Sequence, residues 1–310
     1  MRLDGIHHIT AITGDAAGNV DFYARVLGLR LVAKTVNQDD PTVYHLFFAD
    51  EQGHPGSDLT FFEYPRAIPG RAGAGMVHRI VWRVGSADAL DFWAGRLAGE
   101  GVATERDGDR LRFADPEGLG HELVVSSSAD EPLSAQHPEI PAAAALQGFE
   151  GARAYSADPA ASGRVLEGLL GAGPAGEATW ELRGDARGST IGYDRPPPEP
   201  GRQSAGTVHH VAWGTNVAEH PRWDERLRAA GVPTSGIIDR HYFHSIYFRE
   251  PSGVLFEIAD DAPGFTVDVP LERLGSEIIL PPQFEPHRER IEAILTPLPD
   301  PRAGWATRAG

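Results

Sequence analysis

Cysteine is absent from this 310-residue chain. Its absence removes disulfide frameworks, thiolate zinc sites, iron–sulfur clusters and thiol nucleophiles together, so any metal must be held by histidine, carboxylate or neutral oxygen. Basic residues are outnumbered: 28 Lys and Arg stand against 44 Asp and Glu, a formal charge of −16. Such a balance repels phosphate backbones and excludes nucleic acid and anionic membranes as expected partners. Long apolar runs are also missing. No stretch of about 18 apolar residues occurs, and the opening MRLDGIHHIT lacks the basic and apolar regions of a signal peptide. A cytoplasmic location without a membrane span is the expectation. The 36 Gly and 25 Pro fall below low-complexity levels and point to turns and long loops. The length is about twice that of a common domain.

What the chain does have is a repeat and 13 His that cluster within it. Four strand-like runs recur at about a quarter of the length: GIHHIT (5–10), MVHRIV (76–81), FEGARA (149–154) and TVHHVA (207–212). Each is followed by an amphipathic helical segment, at 16–28, 87–101, 159–171 and 220–231, and each segment closes on glycine. Short strand-like runs such as LRLVAKTV, YHLFFAD, HELVVS, SIYFRE and VLFEIA then complete the units. The grammar is βαβββ, four times over.

Two closing strands align without gaps, DPEGLGHELV (115–124) and EPSGVLFEIA (250–259), which sets Glu122 opposite Glu257. At these residues the chain resembles the vicinal oxygen chelate superfamily, whose paired βαβββ modules form half-open barrels around a metal. The expected fold class is therefore α+β, with four βαβββ modules forming two half-open barrels. Residues 1–140 are expected to hold the N-terminal pair of modules and 141–262 the C-terminal pair. Residues 263–310 form an extension that wraps the core, with a helix near 285–296 and a frayed PRAGWATRAG end. PPPEP (196–200) reads as a linker.

Side chains alternate faces along a strand, so one member of each His–His doublet is expected to face a barrel interior. The second place of the doublet differs among units: His8 and His210 in units one and four, Arg79 in unit two, Ala152 in unit three. The carboxylate place holds Glu257 in unit four, Glu122 in unit two and Gly192 in unit three. In unit one a gapless count lands on Thr60, with Glu63 on the opposite face. The complete constellation is His8, His210 and Glu257, drawn from the first and fourth units, and Arg79 and Glu122 are expected to form an ion pair in place of a second metal. Two His and one carboxylate leave coordination positions open, the pattern of non-heme Fe(II) oxygenases.

Over nearly its whole length the chain is similar to ring-cleaving dioxygenases of the hydroquinone 1,2-dioxygenase type. The similarity is carried by GIHHIT, DFYARVLGLRLVAKTV, PTVYHLFFADEQGHPGSDLTFF, VHHVAW, DRHYFHSIYFREPSGVLFEIA and the tail pattern GFTVD…LGSEIILPPQF. The resemblance implies an extradiol-type oxidoreductase that opens hydroquinone- or catechol-type diols with O₂ on Fe(II). The family's iron ligands fall on His8, His210 and Glu257. Its further site groups fall on His7, Arg240 and Tyr247, of which phenol or imidazole can exchange a substrate proton and guanidinium can hold an anion. Mn(II) in place of Fe(II) and a homo-oligomer stay open. So do a glyoxalase-like isomerase or transferase, generally built on four protein ligands, and a non-catalytic small-molecule binding protein. His45 and His244 are expected to be structural, and His241 a loop residue that alternatively narrows the pocket. Tyr242, Phe243, Phe248 and Phe256 are candidates for an arene-lined pocket.

Overall fold

The computed structural model describes residues 1–303 and Trp305. Gly304 and residues 306–310, part of the PRAGWATRAG end, lie outside them. Module one comprises β1 (Ile6–Thr13), α1 (Ala16–Val20, continued by a wider turn over Asp21–Val26), β2 (Arg30–Val36), β3 (Tyr44–Ala49) and β4 (Asp58–Glu63). Module two follows with β5 (Val77–Val84), α2 (Ala87–Gly99), β6 (Thr104–Asp107), β7 (Arg110–Ala114) and β8 (Gly120–Val125). Module three has β9 (Phe149–Tyr155), α3 (Pro159–Val165), β10 (Gly173–Gly176), β11 (Thr179–Arg183) and β12 (Gly188–Asp194). Module four has β13 (Thr207–Gly214), α4 (His220–Ala229), β14 (Ile237–Asp239), β15 (His244–Arg249) and β16 (Leu255–Ala259).

The helices start where short polar side chains can cap them. Ser86, Asp15 and Asp158 each accept a backbone N–H of the first turn of α2, α1 and α3. In α2 the buried Leu90, Trp93 and Leu97 recur at three- and four-residue steps, giving one apolar face to lay on the sheet.

The strands form two eight-stranded mixed sheets, β14-β15-β16-β13-β1-β4-β3-β2 and β10-β11-β12-β9-β5-β8-β7-β6. The centre of each is an antiparallel pair of module-opening strands, β1 with β13 and β5 with β9. Module one thus pairs with module four, and module two with module three. Residues 1–140 and 141–262 each give one module to each sheet. In the first sheet, side chains from β1, β3, β4, β13 and β15 converge on one cavity, so the sheet curls into a half-open barrel.

A buried polar network joins modules one and two: Tyr23 donates to Asp115 (2.9 Å) and meets His121 Nε2 (3.0 Å), whose Nδ1 receives the Trp82 indole N–H (3.1 Å). The C-terminal extension covers the free edge of β2, where Ile279 N–H donates to the Lys34 carbonyl and Lys34 Nζ donates to the Leu298 carbonyl. An edge so paired offers little for another strand to join. The helix expected near 285–296 is α5 (Arg288–Glu292), led in by a tight turn over Glu285–His287. Among the described residues no helix is long and apolar enough to cross a membrane.

Candidate metal centre

The two His doublets sit on β-bulges. In the β1–β13 ladder the register skips His7 between Ile6↔Trp213 and His8↔Ala212, and skips His209 between Thr10↔His210 and Ala11↔Val208. A bulged residue has no partner and suspends the alternation of faces, which re-aims its side chain. Strict alternation therefore fails here. The rings of each doublet touch, with Nδ1 atoms 2.9 Å apart in His7–His8 and 2.8 Å apart in His209–His210.

The neighbouring parallel ladder sets the carboxylate. Ala212 pairs with Glu257 in module four, Thr10 with Thr60 in module one and Val81 with Glu122 in module two, the gapless correspondence expected from the sequence. Module three pairs Arg153 with Gly192. By the same offset its histidine place is Gly151 rather than Ala152, because the bulge in β9 falls at Glu150, one residue earlier than an even alignment assumes. Glu63 accepts the Ala16 N–H at the start of α1 (3.2 Å), away from the cluster.

Three donor atoms from these strands form a small triangle. His210 Nε2 lies 2.9 Å and His8 Nε2 3.3 Å from Glu257 Oε2, and the two Nε2 atoms are 3.3 Å apart. A divalent ion with bonds of about 2.0–2.2 Å takes neighbouring donors about 3 Å apart at a right angle, so the triangle fits one ion. All three residues are buried, and neither Glu257 oxygen has a hydrogen-bond donor among the described residues beyond these imidazoles. A fully buried carboxylate so placed calls for a cation. Burial pushes the Glu257 carboxyl up, but the His8 and His210 imidazoles outweigh it and hold the group well below the usual carboxylate range. Burial pulls His210 down, whereas in His8 the Glu257 charge overcomes burial and raises it.

His7 and His209 are held near a pKa of about 3, first by burial and then by the adjoining His8 and His210. As neutral rings they can accept an Nδ1–H from His8 and His210, leaving each Nε2 lone pair turned to the triangle. His7 does not line the cavity in front of the triangle; it stands behind His8. The matching role of His209 was signalled in the sequence only by its place in a second doublet. Replacing either residue by Ala is expected to weaken retention of a divalent metal by about 10–100-fold with folding intact. Metal analysis of the purified variants measures this, and an unchanged content would remove the pair from that role.

The cavity has a volume of about 330 Å³ and is walled by Phe47, Phe62, Phe243, Tyr64 and Tyr247, with His45, His209 and Arg240 among the polar groups. Of the four aromatics expected to line it, only Phe243 does so. Tyr242, in the bend before β15, packs on Phe47 and Phe265, and Phe248 and Phe256 pack on each other in the core, because the pleat of β15 and β16 turns these two away from the barrel. His45, expected to be structural, lines the cavity, with Nε2 2.9 Å from Thr60 Oγ1 and its ring on Phe47. His241 is tied to Asp268 of the extension and His244 to Asp260, neither on the cavity wall. Tyr247 is the direct cross-strand neighbour of Glu257, its ring centroid 5.5 Å from that of His210, and the Arg240 guanidinium lies over its other side at 5.4 Å. Arg240 also pairs with Asp39 from module one (3.1 Å). Burial and the Glu257 charge raise the Tyr247 phenol against the pull of Arg240, so it stays protonated at neutral pH.

In the second sheet the expected Arg79–Glu122 pair is present (3.1 Å), and Arg112 (2.8 Å) and Arg110 join it on the same carboxylate. Arg79→Ala is expected to cost about 1 kcal/mol, since two guanidiniums remain. Glu122→Ala removes the shared carboxylate of three cations, of which only Arg112 keeps another partner among the described residues, Asp107 at 3.8 Å, and is expected to cost about 3 kcal/mol. Neither change should lower metal content or turnover. Denaturant unfolding and metal analysis check both, and a selective loss of metal in a folded variant would assign chemistry to this sheet.

The model of the Glyoxalase/Bleomycin resistance protein/Dioxygenase superfamily matches residues 5–123 and 152–258. "Putative ring-cleaving dioxygenase MhqO" of Bacillus subtilis is 41% identical, over 94% of this chain and 96% of that protein. The chlorohydroquinone/hydroquinone 1,2-dioxygenase of Sphingobium indicum is 32% identical, over 92% and 93%. The crystal structure of a "putative dioxygenase" from Bacillus subtilis superposes with a TM-score of 0.88 at 40% identity, covering 96% of this chain and 98% of that one. Glyoxalase I of Zea mays shares the fold at a TM-score of 0.60 and 15% identity, over 83% and 92%.

Proposed function

Since the chain belongs to the glyoxalase/bleomycin resistance protein/dioxygenase superfamily, we propose that it is a non-heme Fe(II)-dependent ring-cleaving dioxygenase of the extradiol type. Its substrates on this reading are hydroquinone- or catechol-type diols and O₂. The observation that carries the reading is the buried His8–His210–Glu257 triangle, two of whose histidines line an aromatic cavity. Three ligands leave room on one ion for both a substrate oxygen and O₂. The fourth place, where a glyoxalase-like isomerase would want a ligand, holds Thr60, whose hydroxyl is engaged by Thr10 and His45. The hydroquinone 1,2-dioxygenase of Sphingobium indicum and the Bacillus subtilis relatives that carry the name of ring-cleaving dioxygenases, matched over almost their full length, support the same choice.

The bound Fe(II) would supply electron transfer between an electron-rich ring and O₂. The side chains of the chain do the rest. Phe47, Phe62 and Phe243 present flat apolar faces that accept a ring and exclude water. Arg240 offers a fixed charge to an oxygen that becomes anionic as the diol loses a proton. Tyr247, neutral and beside the Glu257 strand, can donate a hydrogen bond or a proton at the reacting end of the ring. His7 and His209 hold the ligand rings at one rotation and tautomer. Ring opening by insertion of O₂ consumes one O₂ per diol.

Metal analysis of the purified protein followed by O₂ uptake with hydroquinone, methylhydroquinone and catechol tests the proposal. Stoichiometric consumption of O₂ by iron-loaded protein with any of the three supports it. A protein that binds no divalent metal, or that loaded with iron consumes no O₂ with any of them, would overturn it.

A further inference from the structure

The second sheet bears an open cavity of about 670 Å³, lined by residues of β5, β6, β7, β8 and β9 and of neighbouring loops. Ladder register places its groups against those of the metal centre. Where β1 and β13 carry His8 and His210, β5 and β9 carry Arg79 and Gly151. Glu122 stands where Glu257 stands. Arg112 is the cross-strand neighbour of Glu122, as Tyr247 is of Glu257. The positions that carry a histidine and the tyrosine in one barrel thus carry guanidiniums in the other.

These guanidiniums exceed what the local carboxylate can satisfy. Glu122 is 1% exposed and accepts one hydrogen bond each from Arg79, Arg110 and Arg112. One negative charge faces three positive ones. Each guanidinium has about five N–H donors, and among the described residues each of these three spends one, on Glu122. Asp107 is an exposed counter-charge 3.8 Å from Arg112, too far for a hydrogen bond. Glu105 on the rim is exposed to water, and Arg71 adds a further cation to the lining. Arg153, the other nearby cation, is already neutralised by Asp194, which also takes His78. In a chain of net charge −16, a concave surplus of positive charge is a local exception. Flat walls accompany it: Tyr155 stacks on His78 at 4.0 Å and 11°, and Phe113 lines the same cavity.

We infer that this cavity is a binding site for a small oxyanion, a phosphate or a carboxylate, held by the free N–H edges of Arg79 and Arg112 above Glu122. Planar guanidiniums match the paired oxygens of both ions, and the stacked rings leave room for a small organic body on a carboxylate. Glu122 then acts as the post that keeps the arginines aimed inward, and its charge limits how tightly an anion binds.

The site is independent of the metal centre, so its test is too. Calorimetric titration of the purified protein with inorganic phosphate and with malonate, at low and at physiological salt, should show saturable binding of at least one anion that weakens with salt. Amide chemical shifts in the wild type should move on β5 and β7 around Arg79 and Arg112. The Arg79→Gln/Arg112→Gln protein should bind about 10-fold or more weakly, the loss of charge-assisted hydrogen bonds. Glu122→Gln should bind several-fold more tightly, and Glu257→Ala should bind as the wild type does. Phosphate alone, or malonate alone, identifies which oxyanion the cavity takes. Absence of saturable binding of both anions by the wild type, or shifts that map away from β5 and β7, would overturn the inference. So would unchanged affinity in the folded double variant.

Discussion

Alanine at His8, His210 or Glu257 is expected to strip the protein of its metal and abolish O₂ consumption while leaving it folded. The three donor atoms lie within 3.3 Å of one another, and among the described residues they are the one group of His and carboxylate able to close on an ion. An ion deprived of one of three protein ligands is expected to be held more than about 100-fold less tightly, since even the partners behind metal ligands are worth about 10–100-fold. Folding should survive because the strands are held by their ladders and by a core that does not depend on these side chains. Glu257→Gln makes a stricter version: it keeps the volume and removes the charge that the two imidazoles face. Elemental analysis and circular dichroism read the result together. A folded variant with full metal content and wild-type turnover would show that its residue is not a ligand.

Tyr247→Phe is expected to keep both metal and fold and to lower kcat by about 10²–10⁴-fold, the usual worth of a positioned proton-transfer group. The phenol is placed for that role by three contacts. It pairs across the strands with Glu257, sets its ring edge-on to His210 and lies beneath Arg240. Phenylalanine retains the ring and so retains packing and the cation–π contact, and only the hydroxyl is lost. Because burial and Glu257 keep that hydroxyl protonated, its loss should appear in kcat rather than in KM. Steady-state O₂ uptake by iron-loaded wild type and variant separates the roles, and a loss of less than about threefold would leave Tyr247 as a packing residue.

Much of the fold and of the candidate site is legible in the sequence. The βαβββ grammar is written in local chemistry: capping Ser and Asp, three- and four-residue apolar steps in helices, and Gly turns feeding short strands. The candidate ligand set was legible for a related reason. Repetition allowed each position to be compared with three others, and the comparison left one complete set. Misreadings fell where a strand departs from regular geometry or where side chains meet from distant modules. The even alignment of module three slipped by one residue because a bulge at Glu150 cannot be heard in a sequence of ordinary strand residues. The place of His45 on the cavity wall is of the second kind: β3 carries it there, opposite β13 and β15.

By itself the sequence determined the elements, the repeat and the residues able to bind a metal, because these depend on neighbours a few positions apart and on side-chain chemistry. The sequence also drew one constellation from modules one and four; only the tertiary structure decided the strand pairing and register behind it, β1 with β13, since that is a long-range choice among similar strands. The tertiary structure also brings both members of each His doublet into contact beside the candidate centre. A bulge cancels the two-residue alternation at one residue, and that cancellation brings His7 against His8 and His209 against His210.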